Sequence, residues 1–184
     1  MELKKIEDGM RLVLEGLGVD LTDHNFNTTP QRAARVFQEV FEPKPTEWPV
    51  FDERFTDMVI MRGHVFYTFC PHHMLPVKLR AAVAYIPNGK VIGASKLIRM
   101  IHEANRMPMT QEALTDAIST SIDRLTDGTS EGSAVWLQGE HGCFSIRGVK
   151  SGADMVTCRF TGNFDSYIHL QERFFRLVGG SNGR

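Results

Sequence analysis

The order of hydrophobic periodicities constrains this chain more than any other feature. Residues 58–66 and 77–86 carry the β-branched and aromatic side chains of pleated strands, and Pro87-Asn88-Gly89 supplies a turn behind the second. The period then changes from two to that of a helix. Ser95 heads a segment with Leu97, Ile98 and Ile101 on one side, and Thr110 heads a longer one with Leu114, Ala117, Ile118, Ser121, Ile122 and Leu125, stopped near Gly128. Strand pattern returns at 133–138, 143–146 and 155–161, and a last helix is expected over 166–178. Two strands, two helices and two strands make an α+β order, with helices packed on one face of an antiparallel sheet.

Two further helices precede this body. Ile6, Met10, Leu14 and Leu17 recur at three or four residues, with Gly16 and Gly18 as stop signals. Thr29-Pro30 reads as an N-cap followed by proline at the first helical position. Ala33, Val36, Phe37, Val40 and Phe41 line one face of that helix, and Pro43 ends it. Residues 43–54, with Pro43, Pro45 and Pro49, read as an extended connector. The expected division is a helical arm and connector over 1–54 and a main body over 55–184. A four-stranded sheet covered by two helices leaves its edges open, and sheet-to-sheet oligomerisation would close them.

Composition narrows the function classes. The chain has 184 residues, room for one domain with some extra. Its 21 Lys and Arg against 22 Asp and Glu argue against a dedicated nucleic-acid binder, while leaving room for a local basic pocket. No apolar segment follows the basic residues of Met1–Asp8 as in a secretory signal, and no run approaches the ~20 apolar residues that span a bilayer. Three cysteines, Cys70, Cys143 and Cys158, cannot all pair within one chain. A reduced, soluble, cytoplasmic protein without membrane contact is expected.

Chemistry concentrates in Cys70-Pro71-His72-His73 and Glu140-His141-Gly142-Cys143. Cys-x-x-His spacing lets a thiolate and an imidazole meet one metal from a tight turn, which Pro71 favours. A lone Cys is most often a small buried hydrophobe, but two matched His/Cys clusters point to a shared ion. Cys70, His73 and Cys143 form a Cys₂His set that suits zinc better than a hard cation, with a fourth position open as in catalytic sites. His72 and His141 remain beside the metal, suited to moving protons. Either one is alternatively a fourth ligand or a hydrogen-bond partner behind the ligands. Cys158 has no His neighbour and reads as core.

Two helix starts add to this. Ser95 as a cap would aim backbone N–H groups at one spot, and Lys96 and Arg99 lie three apart on one face, a reasonable phosphate-binding arrangement. Taken alone, Lys and Arg on a helix are more often a solvated face. Arg147 and Arg32 join that anion site only if the fold brings them there. Gln111-Glu112 opens the second body helix; Glu112 there either complements the helix dipole or accepts two N–H bonds from a guanine-like edge.

The ordered set Thr29-Pro30-x-Arg32, Cys70-x-His72-His73, Tyr85-Ile86-Pro87, Gly93-x-Ser95-Lys96-x-x-Arg99, Gln111-Glu112, Leu114-Thr115 and His141-x-Cys143-x-x-x-Arg147-Gly148 resembles the GTP cyclohydrolase I family across roughly residues 1–178. The resemblance implies the tunnelling fold, a β-β-α-α-β-β unit preceded by helices, assembled as a homodecamer of two pentamers with active sites at subunit junctions. It implies hydrolysis and rearrangement of GTP to 7,8-dihydroneopterin triphosphate with release of formate, the entry to folate or related pteridines. By position, Cys70, His73 and Cys143 would bind Zn²⁺, His141 and His72 would shuttle protons, and Ser95 would assist at the ribose. Glu112, with the backbone around Gln111, would hold guanine. Lys96, Arg99 and Arg147 would grip the triphosphate, with Arg32 reaching in from a neighbouring subunit. The sequence departs from the family pattern at Pro71, where Glu is usual, and at Phe69, Leu79, Ala94, Met107 and Met109. The alternatives are the same zinc chemistry on another purine nucleotide, a reaction halting at the ring-opened formamide, another tunnelling-fold activity on pterins or deazaguanines, or a non-catalytic nucleotide-binding oligomer.

Overall fold

Amphipathic spacing produces two helices in the first of two compact units, Met1–Lys44, in a computed structural model that describes residues 1–42 and 50–179. Helix α1 (Leu3–Gly16) buries Leu14, and α2 (Thr29–Phe41) buries Pro30, Ala34 and Phe41. The cap of α2 is Thr28, one residue before the expected Thr29, because the Arg32 N–H already donates to the Thr28 carbonyl at 3.1 Å. Pro30 therefore sits in the first turn, where a missing N–H costs nothing. Leu17 and Val36, expected on the apolar faces, are exposed.

The second unit, Pro45–Arg184, carries the sheet. Of the connector expected over 43–54, residues 43–49 lie outside the described residues, and Val50–Asp52 form strand β1. Strands β2 (Val59–Phe69) and β3 (Pro76–Ile86) pair antiparallel, with a bulge between Arg62 and His64 where Gly63 takes φ +80°. Short strand β4 (Lys90–Ile92) pairs back onto β1. Helices α3 (Ala94–Ala104) and α4 (Gln111–Leu125) follow, then β5 (Gly132–His141), the single turn α5 (Gly142–Ser145), β6 (Met155–Phe160), and helices α6 (Asn163–Ser166) and α7 (Ile168–Gly179). The main sheet runs β2-β3-β5-β6, all antiparallel.

Alternation along β3 explains the core. Val77, Leu79, Ala81, Val83 and Tyr85 point to one face and pack against Leu97, Met100 and Ile101 of α3 and Leu114, Ile118 and Ile122 of α4. Each such fully buried aliphatic side chain stabilises the fold by roughly 1.5–3 kcal/mol. On the opposite face, Ala82, Ala84, Ile86 and Ala134 meet Phe164 of α6 and Phe174 of α7, so the C-terminal helices cover one end of that face.

Three local expectations are corrected. Residues 143–146 are not a strand: the Gly142 backbone packs so closely on β3 that a Cβ there would stand 2.9 Å from the Pro76 carbonyl. The chain turns at that point, and the Ile146 N–H donates to the Gly142 carbonyl at 3.1 Å. The last helix begins at Ile168 rather than 166, because Tyr167 is extended and the separate turn α6 precedes it. Cys158 is exposed rather than core, because it lies on the edge strand β6 opposite Trp136, on the face away from α4.

Candidate active site

Hydrogen bonds close the connection between β2 and β3 into a tight turn. The Cys70 N–H donates to the Leu75 carbonyl and the Met74 N–H to the Cys70 carbonyl, both at 2.9 Å, while Met74 takes φ +52°. Pro71 occupies the turn, as its fixed φ favours. Cys70 is buried beneath the turn, with His72 and His73 exposed above it. From the other side, β5 pairs with β3 until His141 faces Val77. Turn α5 then folds Cys143 back over the same end of the sheet. The ligand atoms of Cys70, His73 and Cys143 thereby lie within 4.8 Å of one another.

The donor set fits a borderline-soft divalent ion. Tetrahedral zinc with sulfur at ~2.3 Å and nitrogen at ~2.0 Å holds its ligand atoms roughly 3.5–3.8 Å apart, so closure by about an ångström completes the site. Burial and the neighbouring Cys70 push the Cys143 thiol up, opposed by the Arg147 cation. Two adjacent thiolates need a compensating cation, and a bound metal supplies it.

A cavity of about 240 Å³ opens beside the triad. Cys70, His72, His141 and Cys143 form its polar side, and Pro71, Val77, Leu79, Met109, Phe144 and Met155 its apolar side. The first turn of α4 completes the wall. Thr110 caps that helix as expected, its hydroxyl accepting from the Ala113 N–H at 3.3 Å. This places Gln111 and Glu112 on the cavity, Gln111 buried and Glu112 exposed. The His141 ring stacks on Phe144 with centroids 5.5 Å apart. Burial holds the His141 imidazole below its ordinary pKa, partly offset by the Glu112 carboxylate. His72 Nδ1 lies 3.7 Å from Cys70 Sγ, and Arg147 Nη1 reaches His73 Nε2 at 2.6 Å.

Eight of the expected residues therefore gather at one end of the sheet: Cys70, His72, His73, Gln111, Glu112, His141, Cys143 and Arg147. Ser95, Lys96 and Arg99 sit on α3 and are not among the residues lining this cavity. Ser95 is not the cap of α3. Gly93 holds that position, its carbonyl accepting from the Lys96 N–H at 2.8 Å, so Ser95 lies inside the first turn without a side-chain capping bond. Arg32 is exposed on α2, in the first unit.

Sequence reasoning missed Thr157 and Gly139. Thr157 Oγ1 lies 3.1 Å from Gln111 Nε2 and 2.7 Å from Thr115 Oγ1. A Cβ at Gly139 would stand 2.2 Å from Gln111 Oε1. A glycine inside a strand pattern is the one sequence signal for such a close approach.

Three side chains able to hold a metal, two of them on a cavity that also holds two imidazoles and a carboxylate, make an arrangement suited to metal-assisted catalysis. The chain belongs to the GTP cyclohydrolase I family, whose sequence profile matches residues 6–179. It is 36% identical over 181 residues to GTP cyclohydrolase 1 of Hydrogenobaculum sp., covering 97% of this chain and 98% of that protein. It is 36% identical over 184 residues to GTP cyclohydrolase 1 of Clostridium perfringens strain 13, with the same coverage of each. The Aquifex aeolicus GTP cyclohydrolase 1 is 34% identical over 183 residues, 98% of each chain. A solved structure of the archaeosine synthase QueF-Like superimposes with a TM-score of 0.46 at 15% identity, over 60% of this chain and 96% of that one. Family membership rests on the sequence matches alone.

Proposed function

We propose that the protein hydrolyses and rearranges GTP to 7,8-dihydroneopterin triphosphate with release of formate, the first step of folate biosynthesis, and that Cys70, His73 and Cys143 hold Zn²⁺ for it. The observation that carries this reading is the three-ligand cluster, drawn within 4.8 Å, on a cavity walled by His72, His141 and Glu112. Zinc bound there supplies a Lewis acid that makes a water acidic enough to act as a nucleophile near neutral pH.

The chain's own residues do the rest. His141 and His72 move protons as the imidazole ring of guanine opens and formate leaves; burial keeps His141 neutral at physiological pH and ready to accept one. Glu112 takes two N–H bonds from the guanine edge, with the backbone around Gln111 completing the grip. Arg147, already beside His73, holds the triphosphate together with Lys96 and Arg99. Ser95 assists at the ribose, and Arg32 reaches in from a neighbouring subunit.

Lys96, Arg99 and Ser95 lie off the cavity of a single chain, which favours sites built at junctions in a homodecamer of two pentamers. Edge strands β2 and β6 have no further partner strand among the described residues, so the sheet is open to continuation by another copy. A cytoplasmic setting suits a thiolate metal site; among the described residues no helix is long and apolar enough to cross a membrane. We take 55–184 as the catalytic body and 1–54 as the arm and connector that lead into it, the connector's β1 pairing with β4 of the second unit.

Incubating purified, zinc-loaded protein with GTP tests the reading, with formate release and pteridine fluorescence after oxidation as signals. Both signals are expected. Formate without pteridine restricts the reaction to ring opening, and neither signal with zinc bound overturns the proposal.

A further inference from the structure

Gln111 is a buried side chain whose amide orientation is dictated by its neighbours. Its Nε2 lies 3.1 Å from the Leu137 carbonyl on β5, 3.0 Å from the Met155 carbonyl on β6 and 3.1 Å from Thr157 Oγ1. Carbonyl oxygens only accept, so the atom between two of them must be the NH₂ group. A directed chain of hydroxyls adds to the lock. The Thr115 hydroxyl donates to the Gln111 carbonyl at 2.7 Å, so Thr157 donates to Thr115, and its oxygen shares the two amide hydrogens of Gln111 with the two carbonyls.

This leaves Gln111 Oε1 aimed at His141 Nε2, 2.8 Å away. An amide oxygen is an acceptor only, so Nε2 carries the hydrogen and the neutral ring keeps its lone pair on Nδ1. That nitrogen faces the metal ligands, 4.0 Å from Cys143 Sγ. Gly139 makes the bond possible. A Cβ there would stand 2.2 Å from Gln111 Oε1 and 2.9 Å from His141 Nε2. Gly139 is not among the positive-φ glycines, so space rather than backbone conformation requires it.

We propose that the Gln111 side chain is a positioning residue that fixes His141 in the Nε2–H tautomer, presenting Nδ1 as the proton acceptor beside the metal ligands, and that Gly139 leaves the room this bond needs. The inference deepens the proposed function and rests on the role given there to His141. It also takes the Gln111 side chain out of guanine recognition, leaving that to Glu112 and backbone groups.

The test has a kinetic and a spectroscopic arm. In zinc-loaded protein acting on GTP, Gln111→Met and Gly139→Ala are each expected to lower kcat by roughly 10- to 100-fold, the cost typical of removing a group behind a metal site. KM for GTP should stay within about threefold and zinc content unchanged. Gln111→Met combined with His141→Ala should be no slower than His141→Ala alone, since the glutamine then has no ring to hold. A rise in KM with kcat preserved, or losses that multiply, would overturn the proposal. In metal-free protein carrying histidine labelled with ¹⁵N at Nδ1, the solid-state resonance that disappears in His141→Ala reports this ring directly. It is expected as an unprotonated nitrogen in the wild type and as a tautomer mixture in Gln111→Met. A protonated Nδ1 in the wild type would sink the assignment, and this readout decides it even if GTP proves not to be the substrate. Should Gly139→Ala fail to fold, Gln111→Met carries both arms alone.

Discussion

The two ends of the chemistry differ in how much of a site one chain can make. At the β2–β3 turn and the end of β5, Cys70, His73 and Cys143 converge within 4.8 Å. Those segments sit on strands already hydrogen-bonded side by side. On the first two turns of α3, Ser95, Lys96 and Arg99 offer a hydroxyl and two cations but are not among the residues lining the cavity beside the triad. Strand pairing brings distant residues together in every copy of the chain, whereas a helix surface waits for whatever packs against it. The proposed metal end is thus gathered within one chain, whereas the proposed phosphate end needs a second copy to meet it.

Breaking the self-contained end should cost most. Cys143→Ala removes one of the three proposed ligands and leaves the Cys70 thiol without the cation that would offset it. Zinc is expected to fall from about one per chain to none, and activity to background, roughly a thousandfold or more. Metal analysis beside the formate assay checks this; retention of both metal and activity would remove Cys143 from the site.

The contrast sharpens with the other end. Lys96→Ala combined with Arg99→Ala removes the two cations proposed to grip the triphosphate, expected to cost about a hundredfold in kcat/KM with zinc retained. If α3 of one copy serves the triad of another, refolding this variant together with Cys143→Ala chains should restore part of the activity that neither has alone. Mixing Cys143→Ala with Glu112→Ala should restore far less, because both residues wall the same cavity of one chain. Equal recovery in the two mixtures would erase the distinction between the ends. Glu112→Ala by itself should spare zinc and raise KM for GTP by roughly tenfold or more.

The two ends also differed in how well the sequence announced them. The triad was legible because cysteine and histidine are few, and Cys-x-x-His in a turn with a second His/Cys pair has little other explanation. The alternation over 77–86 likewise matched β3 to the residue at its end. What escaped depends on contacts between elements. The strand expected over 133–138 continues to His141 as β5. Gly139 is small to admit Gln111 Oε1, and Gly142 to lie against the Pro76 carbonyl. A glycine in a strand pattern hints at a close approach, but it does not say what approaches. The caps at Thr28 and Gly93 shifted from Thr29 and Ser95 because the first intrahelical bond, rather than a favoured side chain, decided where each helix begins. Cys158 followed a strand pattern correctly but lay on an edge strand's outer face, where alternation says nothing about what covers it.

The smallest expected effect lies away from both ends, between β2 and α3. His64 Nε2 and His102 Nε2 stand 3.2 Å apart, next to the Phe66 ring. Burial holds the His64 imidazole below its ordinary value, and the charge of His102 adds to that; burial alone lowers His102. With both folded-state values depressed, the unfolded chain binds more protons just below the ordinary imidazole value of 6.5. Stability from this pair is therefore full above that range and lost as pH falls through it. Lowering the pH from about 7.5 to about 5.5 should reduce Tm by a few degrees, and His102→Gln should flatten that part of the profile while leaving zinc content and kcat near wild type. A variant profile as steep as the wild-type one would assign the acid sensitivity to other groups, and a loss of zinc on His102→Gln would mean that this pair communicates with the metal end after all.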